Sequence, residues 1–242
     1  MDNSLRTAYL QSMGIQPWVR RALAEEAVPV EPEDKPEAPP AAGSAGFSIA
    51  SLDWPQLESC VATCTGCDLH ETRTRTVFGT GNREADWMII GEAPGADEDR
   101  QGEPFVGRAG QLLTEMLRAA GFQRQDVYIT NILKCRPPQN RDPRPGEVAS
   151  CHAWLQRQVA LVRPSLILAV GRIAAHNLLE TDTPVGRLRG RVHHYGEGGI
   201  PLIVTYHPAY LLRSPLEKRK AWEDLRLALQ VAGAGQAESS VS

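Results

Sequence analysis

The sequence predicts an α/β domain: a parallel sheet covered on both faces by helices, in three layers. Two observations carry this. Short apolar, β-branched runs near 86–90, 127–130, 165–170 and 201–206 read as strands, and segments with helical periodicity lie between them, near 54–63, 108–120, 145–162, 171–180 and 215–231. Strands that are apolar on both faces and separated by helices belong to a sheet with right-handed crossovers. Gly121 supplies a stop for the second helix. The stretch Leu188 to Gly199, with three glycines late in its run, leaves a hairpin and a loop both open.

The 242 residues allow one core-forming domain of about 180 residues plus an extension. Residues Ala27 to Gly46 hold five prolines and almost nothing to bury, so 27–50 is expected to be a semi-rigid disordered linker. It separates a short N-terminal arm, 1–26, from a domain spanning 51–232, with a disordered tail at 233–242. No apolar run approaches the length of a membrane span and the N-terminus lacks an apolar signal region, which makes a cytoplasmic monomer the expectation.

The net charge of -3 hides an asymmetry. Met1 to Asp53 carries 4 basic and 8 acidic residues, whereas Lys134 to Arg226 carries 15 basic and 8 acidic. An acidic arm therefore masks a basic surface, which supports a polyanionic partner without identifying it.

Three segments point to a ligand site. The run GEAPGADEDRQGEPFVGRAGQLL, Gly91 to Leu113, leaves the first strand as a glycine-rich turn carrying Glu92, Glu98 and Phe105. In isolation it would suit any anion or nucleotide. ITNILKCRPP places Asn131 at the end of the second strand, and VTYHPAYLLR places His207 at the end of the fourth, ahead of a helix. In an open parallel sheet these carboxyl ends share one crevice.

Five cysteines in a reducing compartment do not form a disulfide framework. Cys64 and Cys67 make a C-x-x-C step, and Cys135 and Cys151 follow far along the chain. Four thiolates suit either a tetrahedral zinc or an iron-sulfur cluster, and spacing by itself leans slightly to zinc. Cys60, one helical turn before Cys64, reads as a small buried apolar residue.

Together the three segments and the four cysteines resemble the uracil-DNA glycosylase superfamily, in its family-four, iron-sulfur form. The resemblance covers about Trp54 to Val231. It implies a 4Fe-4S cluster on Cys64, Cys67, Cys135 and Cys151, and a pocket for a flipped uracil. In that pocket Phe105 stacks on the base, Asn131 reads its N3 and O4 edge, and His207 faces O2. Glu98 matches the residue that crowds the C5 edge against thymine. Ala93 stands where many superfamily members place an aspartate that orients water, so Glu92 is left as a candidate electrostatic or water-positioning group. After His207, the resemblance makes Leu211 or Leu212 a wedge into the duplex and gives Arg213 a phosphate.

Within the arm, LQSMGIQPWVRR, Leu10 to Arg21, resembles the clamp-loader-binding peptide of the bacterial replicase psi subunit, with Ile15 and Trp18 as apolar anchors. It implies a DNA polymerase III clamp loader as partner of residues 5–21. A binding subunit with a glycosylase fold is thus the alternative to an enzyme.

Overall fold

The computed structural model describes residues 48–239. The arm, and all but the last three residues of the linker, lie outside them. Six strands form one sheet: β1 (Thr80–Gly81), β2 (Trp87–Gly91), β3 (Tyr128–Asn131), β4 (Leu166–Val170), β5 (Val192–Tyr195) and β6 (Ile200–Thr205), in the order β1-β3-β2-β4-β6-β5. The inner four are parallel, as their unbroken apolar character requires. The two edges correct the expectation of a purely parallel sheet: β1 pairs antiparallel with β3, and β5 with β6. The segment left open at 188–199 is thus half of a hairpin, turning at Gly196 and Gly199.

The pleat sends alternate residues to two cores. Met88, Ile90, Ile167, Ala169, Leu202 and Val204 meet the helices Pro145–Val162 and Arg172–Leu179 through Leu155, Val159, Ala174 and Leu178. Trp87, Ile89, Ile129, Leu168, Val170 and Ile203 meet the helices Arg108–Ala119 and Lys218–Ser239 through Leu113, Leu117, Leu225 and Ala228. These are the three layers the alternating pattern predicted.

The helix Trp54–Ala62 begins where Asp53 accepts a hydrogen bond from the Gln56 amide at 3.0 Å. Its Cys60 packs half-buried against the Leu52, Leu57, Val61 and Phe78 cluster, in line with an apolar role. The last helix runs to Ser239, eight residues past its expected end at 231. Among those residues no helix is long and apolar enough to cross a membrane.

The parallel register brings the site together. Gly91 at the end of β2 lies opposite Asn131 at the end of β3, and Val170 at the end of β4 lies opposite Thr205, two residues before His207.

Candidate active site

A cleft of about 680 Å³ opens at these carboxyl ends, lined among others by Glu92, Ala93, Glu98, Phe105, Asn131 and His207. That volume lies within the range of small-molecule sites. All six predicted pocket residues are therefore brought to one place. Two glycines make the convergence possible. A Cβ at Gly91 would lie within contact distance of both the Asn131 amide and the Phe105 ring. A Cβ at Gly171, itself at φ +95°, would sit 2.9 Å from the His207 Cβ.

Phe105 has a left-handed φ of 54°, an unfavourable conformation for a residue with a side chain. The Glu98 carboxylate holds it there. One oxygen accepts from the Val106 and Gly107 amides at 3.1 and 3.2 Å, and the other accepts from the Gly95 amide at 3.1 Å. Glu98 lines the cleft, but its oxygens are engaged in bracing the loop that presents Phe105. From behind, the Arg124 guanidinium donates to the Pro104 carbonyl. The Phe105 and His207 rings stand 5.7 Å apart at 30° to one another.

His207 caps the helix Pro208–Arg213. Its Nδ1 accepts the Ala209 N–H at 3.1 Å, so the neutral ring carries its proton on Nε2. Burial, followed by the Arg213 cation, lowers its pKa to about 4 against a weaker pull from Glu98. The imidazole is therefore a neutral donor at any physiological pH. Asn131 is 2% exposed, and its side-chain oxygen lies beside Gly91.

Burial, then the Asp142 carboxylate, raises Glu92 to about 7, while the Arg172 guanidinium opposes the shift. Arg172 itself pairs with Asp142 at 2.5 Å. If the Glu92 carboxylate assists the reaction, activity should climb as pH rises through about 7, and Glu92→Gln should abolish that inflection in a pH-rate profile. The sign for stability is the opposite. The folded chain retains a proton that the unfolded one releases above 4.5, so this group erodes stability as pH rises from 4.5 to about 7.

In the short helix Pro208–Arg213, Leu211 is 1% exposed and Leu212 is 37% exposed. Of the two wedge candidates, Leu211 is packed in the core, while Leu212, next in sequence to the cleft-lining Arg213, is exposed. Tyr206, Tyr210, Arg141, Arg172 and Asp142 shape or flank the mouth and were not anticipated, although Tyr206 adjoins His207 in sequence.

The four cysteines Cys64, Cys67, Cys135 and Cys151 line one internal cleft with Arg73, Lys134 and Trp154. Among the described residues, no three His, Cys, Asp or Glu side chains converge as they would on a single ion. Donors nevertheless aim at two of the sulfurs. Arg73 Nη1 is 3.1 Å from Cys135 Sγ, and the Gly66 amide is 3.4 Å from Cys64 Sγ. Burial pushes the Cys151 thiol up to about 11. Burial likewise pushes the Lys134 ammonium down to about 7, against the pull of Cys151 and Cys135.

The loop leaving Cys135 is pinned at its far end. Arg141 makes a bidentate pair with the Glu147 carboxylate, which also caps the helix Pro145–Val162 through the Arg144 amide.

A sheet end that brings a ring, a buried amide and a neutral imidazole donor into one cleft suits a flat heterocycle. The chain belongs to the uracil DNA glycosylase superfamily, whose family model matches residues 78–226, and within it to the type-4 branch. The type-4 uracil-DNA glycosylase of Archaeoglobus fulgidus is 46% identical over 182 residues, covering 73% of this chain and 92% of that protein. That of Thermotoga maritima is 45% identical over 155 residues, covering 64% and 80%, and that of Pyrobaculum aerophilum 41% over 182 residues, covering 73% and 93%.

Proposed function

We infer that the protein hydrolyses the N-glycosidic bond of deoxyuridine in DNA, the first step of base excision repair. The observation that carries this reading is the convergence of Phe105, Asn131 and a His207 locked as the Nε2–H tautomer on one cleft. A uracil extruded from the helix stacks on Phe105. The Asn131 amide donates to O4 and accepts from N3–H. Cytosine presents an acceptor at N3 and a donor at N4, so a fixed amide rejects it. As the glycosidic bond breaks, negative charge grows on uracil O2 and the hydrogen bond from His207 Nε2 strengthens, which is stabilisation of the transition state over the ground state.

With Ala93 in place of a carboxylate, stabilisation of the leaving group dominates, and an ionised Glu92 favours the sugar cation or orients water. Leu212 fills the vacated stack and Arg213 holds a phosphate. The test of this reading is release of uracil from a uracil-containing oligonucleotide, with the abasic product revealed by alkali.

The cysteine set fits a 4Fe-4S cluster, which would be held by Cys64, Cys67, Cys135 and Cys151 and would brace the loop after Asn131. All five cysteines are unpaired, which suits a reducing cytoplasm. Protein purified without oxygen is expected to be brown, with about four irons per chain, and Cys135→Ala to lose most of them. A colourless protein with one zinc would replace the cluster by the tetrahedral alternative.

The arm, read from sequence alone, serves as a tether to a clamp loader, with Ile15 and Trp18 as anchors. Deleting residues 1–26 should leave uracil excision intact and abolish pull-down of clamp-loader subunits. Loss of excision on truncation would instead make the arm part of the enzyme.

A further inference from the structure

Lys134 is fully buried, yet no acidic side chain accompanies it: none of the ion pairs among the described residues includes it. Its three ammonium hydrogens go to neutral oxygens, namely Thr130 Oγ1 at 2.7 Å, the Asn131 carbonyl at 2.8 Å and Gln158 Oε1 at 2.6 Å. Gln158 is held in turn by the Phe78 carbonyl and the Tyr128 hydroxyl. A cation taken out of water retains its charge only with a counter-charge or a full set of donors and acceptors, and here the hydrogen bonds are complete while the counter-charge is missing.

The cysteine cleft borders the same residue. Lys134 lines the cleft formed by Cys64, Cys67, Cys135 and Cys151, and the next residue in the chain is Cys135. Four thiolates around an iron-sulfur core carry net negative charge. The same side chain reaches the peptide of Asn131, the residue that reads the base. The two sites also share a wall, because Ala93 lines the base cleft and packs on the cluster formed by Leu69, Leu133, Cys135 and Cys151.

We propose that Lys134 is a positioning residue with two contacts: its ammonium is the buried counter-charge of the cysteine-held cluster, and its bond to the Asn131 carbonyl fixes the base-reading amide relative to that cluster. This inference rests on the cluster reading above. The network separates the two roles. Lys134→Met removes both the charge and the bond to Asn131. Gln158→Glu leaves that bond and places a carboxylate against the ammonium, cancelling its charge towards the cluster.

The experiment uses the full chain and follows three quantities: iron and sulfide per chain, the midpoint potential of the cluster, and inhibition of excision by free uracil. Both variants are expected to keep their iron and to shift the potential to more negative values, since a nearby positive charge favours the reduced cluster. Lys134→Met should also weaken uracil inhibition about five- to tenfold, the effect of one hydrogen bond, while Gln158→Glu should not. Iron-loaded variants with the potential and uracil inhibition of the parent would overturn the proposal; should Lys134→Met fail to fold, an unchanged potential in Gln158→Glu would do so. An iron-free parent protein is a separate result, which removes the cluster reading itself.

Discussion

His207→Ala is expected to lower uracil excision roughly 10²- to 10³-fold, the cost of losing one preorganised donor to a developing oxyanion, or about 3–4 kcal/mol. Because His207 also caps the helix Pro208–Arg213 through Nδ1, the alanine variant loses about 1 kcal/mol of stability as well. His207→Asn can restore a cap acceptor without the reach of Nε2, so it should recover stability but not rate. The ring is neutral down to about pH 4, so the ratio of parent to variant rates should stay constant from about pH 5 upward. A ratio that falls as pH rises through about 6.5 would mean that a protonated imidazole does the work. Asn131→Ala should lose activity on a similar scale, and parent-like rates in both variants would refute the site.

Glu98→Ala is expected to cost about 10²-fold in uracil excision without opening the enzyme to thymine. Its carboxylate is the acceptor for the Gly95, Val106 and Gly107 amides. Removing it leaves three partly buried N–H groups unsatisfied, each costing about 1–3 kcal/mol, and lets Phe105 relax from its left-handed conformation. Sequence reasoning expects something different, namely that Glu98 crowds the C5 edge and that its loss mainly relaxes discrimination. The two accounts part on a G·T duplex. A variant that cuts thymine while retaining the parental uracil rate would restore the C5-gate role.

The inner strands were legible because both of their faces are buried, which leaves continuous apolar runs that no surface strand shows. The edges were not. β1 is only Thr80–Gly81, and β5 alternates half-buried and exposed residues whose pairing is made by the backbone. The helix Ala96–Gln101 hides in a run of three acidic residues and owes its start to Glu98. Leu211 and Leu212 are adjacent, so no periodicity could tell which faces inward until the turn at Pro208 was fixed. Asn131 and His207 were readable at or just past strand ends, and Phe105 in the glycine-rich turn that follows the first long strand. The bracing role of Glu98 depends on amides eight and nine residues away in a folded loop, and the buried setting of Lys134 depends on a glutamine 24 residues on.

The cleft is expected to release uracil from DNA. The most direct test is to incubate the full-length protein with an oligonucleotide containing a single deoxyuridine and to quantify free uracil by mass spectrometry, beside a matched thymidine strand and the His207→Ala variant. Stoichiometric uracil with an intact, alkali-labile abasic strand, no thymine, and a variant slowed by at least about 10² is the predicted result. No free uracil from the parent protein at micromolar enzyme over hours, with the DNA still bound, would contradict the account and leave a nucleic-acid-binding protein in a glycosylase fold.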